Sequence, residues 1–164
     1  MWEFLRSIIV ALLIVVPIRA WVAQPFIVQG NSMLPNFHSG EYLIIDEFSY
    51  HFREPERGEV VVFRYPRQPS QFFIKRVIGL PGDMIEIRDG SVYLNGQIFS
   101  ETYLSDEFAT TPNSTYTLGV DEYFVLGDNR QASSDSRVWG SLKEHFIVGR
   151  TLLRLWPFTQ LGIL

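Results

Sequence analysis

Ser32 and Lys75 are the side chains of this 164-residue sequence placed most suggestively for covalent chemistry. Ser32 sits in Gly30-Asn31-Ser32-Met33-Leu34-Pro35. Glycine permits unusual dihedrals there, and the proline stops a helix from running through the stretch. Such a serine is in most chains an ordinary turn residue. Read as chemistry, it is a nucleophile at a rigid irregular turn, with its own backbone N–H as oxyanion donor.

Lys75 lies in Phe72-Phe73-Ile74-Lys75-Arg76-Val77-Ile78. With the two-residue period of a strand, Phe73, Lys75 and Val77 share one face, while Phe72, Ile74, Arg76 and Ile78 share the other. At least one of the two cations therefore sits beside hydrophobic side chains. An exposed strand face is the common setting for such a lysine. The sharper reading is a desolvated amine whose pKa has fallen far enough to act as a general base.

A third stretch runs from Gly127-Asp128-Asn129-Arg130 through Ser133, Ser134, Asp135 and Ser136 to Arg137. It reads as a hydrogen-bonded turn cluster, or as a loop that delivers hydroxyls and carboxylates to a site.

Composition narrows the rest. Net charge is −4, which argues against a nucleic-acid-binding domain. With no cysteine, thiol catalysis and disulfides are excluded. His38, His51 and His145 form neither an HExxH motif nor a close pair, so neither a metal nor another cofactor is expected. A Ser-His-Asp triad using His145 and Asp128 stays open on spacing alone. No Gly-x-Ser-x-Gly elbow and no Ser-x-x-Lys pair occurs.

The elements that must carry these residues are mostly strands. Ile8 to Ile18 is uniformly apolar, flanked by Arg6 and Arg19 with Trp2 and Trp21 outside them. That pattern predicts an uncleaved transmembrane anchor over residues 1–23. A cleaved leader fits less well, because Trp21 stands where a small residue is required. Residues 24–164 then form the second domain. Strands are predicted at Phe26–Val28, Tyr42–Ile45, Val60–Phe63, Phe72–Ile78, Met84–Arg88, Ser91–Leu94, Tyr123–Leu126 and Ile147–Trp156, with hairpin turns at Asp89-Gly90 and Asn95-Gly96. Residues 100–115 read as a surface loop. Ser141 to Glu144 has capping-box spacing for one short helix. The expected fold is mostly β, an antiparallel sheet or barrel-like domain behind one anchor helix.

Taken together, the apolar N-terminus, Asn31-Ser32-Met33-Leu34-Pro35, Arg57-Gly58-Glu59-Val60-Val61-Val62-Phe63, Ile74-Lys75-Arg76-Val77-Ile78-Gly79-Leu80-Pro81-Gly82-Asp83 and Gly127-Asp128-Asn129-Arg130 resemble bacterial signal peptidase I. The resemblance covers nearly the whole chain. It implies Ser32 as nucleophile, Lys75 as general base and Ser133 as the hydroxyl that orients the amine. It implies Arg76–Asp128 and Asp135–Arg137 as structural ion pairs, and signal peptides of exported preproteins as substrates, cut after small residues. It also implies a single-pass protein of the cell membrane with its catalytic domain on the extracytoplasmic side, in contact with lipid and with the export machinery. An extended peptide would add between Phe26–Gly30 and Phe72–Lys75, with Val28, Met33 and Ile74 shaping shallow pockets. Two positions depart from the pattern. Gly30 lacks the hydroxyl that some members place two residues before the nucleophile, and Gln131-Ala132 replaces a common Asp-Asn. The alternatives are a conjugation-type or mitochondrial-type serine–lysine peptidase, and an anchored β-domain that binds partners without catalysis.

Overall fold

The computed structural model describes residues 2–10, 23–104 and 109–164. Residues 2–10 are helical and exposed. Residues 11–22, most of the expected anchor, lie outside the described residues. Among the residues described, no helix is long and apolar enough to cross a membrane.

The remaining chain is antiparallel sheet. β1 (Ala23–Ile27), β2 (Tyr42–Asp46), β3 (Val60–Tyr65), β4 (Gln68–Gly79), β9 (Glu122–Leu126), β10 (Leu142–Lys143) and β11 (Ile147–Trp156) form one sheet in the order β1-β2-β11-β3-β4-β9-β10, with β12 (Gly162–Ile163) alongside β11. β5 (Met84–Arg88), β6 (Ser91–Leu94), β7 (Gln97–Ile98) and β8 (Ser114–Thr117) make a smaller sheet in the order β7-β6-β5-β8. The hairpin turns fall where the sequence predicts them. Asp89 and Asn95 take φ of 51° and 52°, and Gly90 and Gly96 take 81° and 84°, as type I′ turns require.

β-Branched and aromatic residues account for the strands. Val60, Val61, Val62 and Phe63 are buried on both faces of β3, at the middle of the sheet. Val28, Met33, Phe37, Leu43, Ile45, Val60 and Val62 pack into one cluster beneath the serine turn. Ile78, Phe124 and Leu126 join the two sheets by packing on Ile85, Ile87 and Val92.

β4 is the strand that matters most for the site. It spans 12 residues, exposed at its outer half and buried at Lys75, Val77 and Ile78. Opposite it, Val61 pairs with Lys75 and Val60 with Arg76, while Arg76 also pairs with Leu126 of β9. The loop that follows Leu126 is thus delivered beside the lysine. The sheet curls without closing: among the described residues β1 pairs only with β2, and the outer half of β4 only with β3. The Phe26 and Phe72 rings meet edge to face at 5.3 Å where these two strands approach.

Two expectations need correction. The capping-box stretch Ser141 to Glu144 is not a helix. Leu142 is fully buried and pairs with Tyr123, so tertiary pairing overrides the local signal, and only a 3₁₀ turn follows at Glu144–Phe146. The helical turn lies earlier, at Ser136–Trp139, where the Asp135 side chain caps it by accepting from Arg137 N. Residues 100–115 are also more than a surface loop, since Thr110 is fully buried and Ser114 opens β8.

Candidate active site

The strand register and the turn bring Ser32 and Lys75 together across 43 residues of sequence. Lys75 Nζ lies 2.7 Å from Ser32 Oγ and donates to the Ile74 carbonyl at 2.8 Å. The lysine is only 4% exposed, and its amine stands 5.3 Å from the centroid of the Phe73 ring. Burial pushes its pKa down to about 8, against the upward pull of Asp135 and Asp128. An amine titrating there is about half neutral at pH 8, where an unperturbed lysine is about 0.4% neutral.

The turn that presents Ser32 is held from several sides. Gly30 adopts φ of 88°, a conformation that strains any side chain bearing a Cβ. Gly30 N donates to Ser39 Oγ at 3.3 Å, and Leu34 N to the Asn31 carbonyl at 3.3 Å. The backbone N–H of Ser32 has no partner among the described residues, so it is open to a developing oxyanion.

The Gly127–Arg137 loop supports the turn from behind. Asp128 takes a bidentate pair from Arg76 at 2.9 and 2.6 Å, and Asp135 takes two bonds from Arg137 at 2.8 Å each. Both ion pairs expected from the sequence are therefore formed, with both carboxylates buried. Ser133 is brought to the same place. Its hydroxyl is buried and has no hydrogen-bond partner among the described residues, so its contact with the amine is not made in this arrangement.

Of the expected pocket residues, Val28 and Ile74 line a cleft of about 680 Å³ that also contains Ser32, Lys75, Phe26 and Phe72. Met33 does not line it. It is 1% exposed and packs in the core with Phe37 and Leu43, which corrects the expectation that it shapes a pocket. His145 is far from this chemistry in its contacts. It lines a separate cleft with Tyr50, Asp121 and Glu144, while Asp128 is committed to Arg76 and Asn36, so the Ser-His-Asp alternative is not assembled. Among the described residues no cluster of His, Asp and Glu is arranged to hold a metal ion.

Several supporting residues were not singled out from the sequence. Asn129 N donates to the Ser32 carbonyl at 3.0 Å, and Asn129 Nδ2 to the Asn31 carbonyl at 3.1 Å. Asn36 Nδ2 joins Asp128 Oδ2 at 2.8 Å to the Tyr103 carbonyl at 2.9 Å. Tyr103 lies over the Arg76 guanidinium at 4.0 Å, and Glu101 pairs with buried Arg130. Gly127 has no room for a side chain: a Cβ there would lie 2.5 Å from the Ser32 carbonyl oxygen and in hard contact with Ser133. Asn129 and Gly127 lie inside the Gly127-Asp128-Asn129-Arg130 motif, whereas Asn36, Glu101 and Tyr103 carry no local signal.

The sequence profile of the family described as signal peptidase, peptidase S26, matches residues 1–156. The chain belongs to that family. As an S26 peptidase it is a hydrolase of the serine type. It is 37% identical over 170 residues to a probable signal peptidase I-2 of Synechocystis sp., covering 99% of this chain and 76% of that one. It is 36% identical over 169 residues to signal peptidase I of Leptolyngbya laminosa, covering 98% and 82%. Among solved structures it resembles a signal peptidase I from Enterococcus faecalis at 36% identity and a TM-score of 0.53, over 60% of this chain and 97% of that one.

Proposed function

We propose that this chain is a membrane-anchored serine endopeptidase that removes signal peptides from exported preproteins through a Ser32–Lys75 dyad. The observation that carries the reading is the 2.7 Å contact between Ser32 Oγ and a buried amine whose pKa is about 8. In its neutral form Lys75 accepts the Ser32 proton as the oxygen attacks the carbonyl carbon of the residue before the cut. The resulting oxyanion meets the Ser32 N–H. Protonated Lys75 then gives its proton to the leaving amine, and the acyl-serine ester remains. Water, deprotonated by the again neutral lysine, attacks the ester, and the proton returns to Ser32. Ser133 supplies the hydroxyl that receives an amine N–H when the lysine turns from Ile74 during this cycle.

The substrate enters as a strand. β1 and the outer half of β4 each keep one edge without a partner among the described residues, and both line the cleft. A peptide laid between them gains backbone hydrogen bonds on both sides, and Val28 and Ile74 favour small apolar side chains near the cut. Residues 1–23 serve as the single-pass anchor in the cell membrane. They place the domain of residues 24–164 on the extracytoplasmic side, where preproteins leave the export machinery while still held in lipid.

The test is purified full-length protein with a preprotein and mass spectrometry of the cut site. Ser32→Ala is expected to lose activity by about a millionfold in kcat. Retained turnover in a clean Ser32→Ala preparation overturns the dyad. A folded wild-type protein that binds the preprotein without cutting it supports the non-catalytic alternative.

A further inference from the structure

The cleft at the dyad has a direction. β1 starts at Ala23, the last residue of the proposed anchor, and runs through Phe26 towards Val28 and the serine turn. The outer half of β4 flanks the same cleft from Phe72 to Lys75. The two segments meet through Phe26 and Phe72 at one end and through Ser32 and Lys75 at the other. On the proposed function, on which this inference rests, a client is still held in the bilayer by the residues before its cut. Those residues therefore lie along the cleft from the dyad back towards Ala23.

Side chains two apart on a strand share a face. Val28 and Ile74 flank the cleft beside the dyad, and Phe26 and Phe72 flank its next step. The two rings meet edge to face across the gap, with centroids 5.3 Å apart. Phe72 stands three residues before Lys75, about 10 Å at the rise of a strand. An extended client thus has room for about three residues before its cut, and the next one meets the rings.

Arg64 stands at that end. It pairs with Phe72 across β3 and β4 and lays its guanidinium over the Phe72 ring at 4.8 Å. By the strand period it shares a face with Val62, which lines the cleft. Arg76, Arg130 and Arg137 are ion-paired, but Arg64 is exposed and has no carboxylate partner among the described residues. Its one hydrogen bond among them is long, from Nη1 to the Pro69 carbonyl at 3.4 Å. Glu47 feels its charge without bonding to it. Burial holds the Glu47 carboxyl above its usual range, Arg64 and His51 pull it back only in part, and Glu47 Oε1 is buried without a hydrogen bond.

We infer that Phe26 and Phe72 stop the extended part of the client and that Arg64 caps the helix behind it. A chain segment held in a bilayer satisfies its backbone by coiling into a helix. The last turn of that helix leaves carbonyls without partners, and the helix dipole adds partial negative charge there. The rings end the extended run, so the helix ends beside Arg64. The guanidinium, with five N–H donors and little else to bond, donates to the free carbonyls. Arg64 is thereby a specificity-determining residue for clients whose apolar helix ends about four residues before the cut.

The experiment compares kcat/KM for a preprotein with kcat/KM for a short peptide that carries only the residues around the cut. Arg64→Met keeps the stem on Phe72 and removes the charge. The ratio of preprotein to peptide is expected to fall about two- to fivefold, the worth of one cation at a helix end. Arg64→Lys is expected to restore most of it. A second preprotein carries a flexible Gly-Ser spacer between its apolar segment and the cut. Its ratio is expected to be low already in wild type and to stay there in Arg64→Met. An unchanged ratio for the first preprotein in Arg64→Met overturns the cap. An equal fall for the spaced preprotein also overturns it and places Arg64 against lipid instead. A wild type that cuts preprotein and peptide no faster than Ser32→Ala removes the proposed function and this inference with it, whereas an active wild type with an unchanged ratio removes this inference alone.

Discussion

At the scale of the residue, the lysine amine is the controlling group on the proposed serine–lysine reading. Its pKa is depressed by burial and partly restored by Asp135 and Asp128. The catalytically useful form is the neutral one, so kcat/KM is expected to rise with pH and level off above about 8, with the midpoint of the acid limb reporting Lys75. Asp135→Asn removes the larger of the two upward pulls while keeping the shape of the side chain. Its acid limb is expected to move to lower pH in a pH–rate profile, and an unmoved limb would mean that another group controls the rate. Lys75→Arg is expected to be inactive in the same assay, because a guanidinium does not give up its proton in this range.

At the scale of the element, what is distinctive is how one loop is fitted behind one turn. Gly127 lies so close to the Ser32 carbonyl and to Ser133 that a methyl group has no space. Gly127→Ala is expected to displace the serine turn while the sheets, whose cores lie elsewhere, stay formed. A displacement of about 1 Å costs on the order of a hundredfold in rate, against about 1–3 kcal/mol of stability for overpacking. The check is kcat/KM beside a denaturation midpoint; loss of both in proportion would count against a positioning role. Sequence patterning foretold the strands that carry β-branched runs, such as Val60–Phe63, because alternation and propensity are local properties. It also foretold the two ion pairs, and it marked Ser32 and Lys75, which the fold brings within 2.7 Å, because all of them sit in stretches with a family signature. It failed at Ser141–Glu144, where burial of Leu142 against Tyr123 outweighs a cap, and at Met33, whose inward direction depends on the turn's path rather than on its type. Asn36, Glu101 and Tyr103 act through contacts across 67 to 92 residues for Asn36 and 29 for Glu101, distances that no window along the chain spans.

At the scale of the whole molecule, the site is a cost to the fold. Lys75 binds its proton less readily folded, at about 8, than at its ordinary value of 10.5. Below pH 8 both states carry the proton and the folded one bears the full desolvation. Between about 8 and 10.5 the unfolded chain holds more protons, so stability from this group rises with pH. The difference corresponds to about 3 kcal/mol. Lys75→Met is therefore expected to be inactive yet to melt higher than wild type at pH 7, with the gap narrowing as pH approaches 10. A gap that is constant with pH would place the cost elsewhere. The unclosed curl between β1 and β4 carries a further consequence, on the proposed reading, for the timing of a client's life. The gap receives a single extended segment, flanked on both sides by backbone and pinched where Phe26 meets Phe72. A client whose residues around the cut have already coiled or paired has no free edge to offer and is passed over. The gap is thereby a clock as well as a groove: it admits chains in the interval between their emergence and their own folding, and closes to them afterwards.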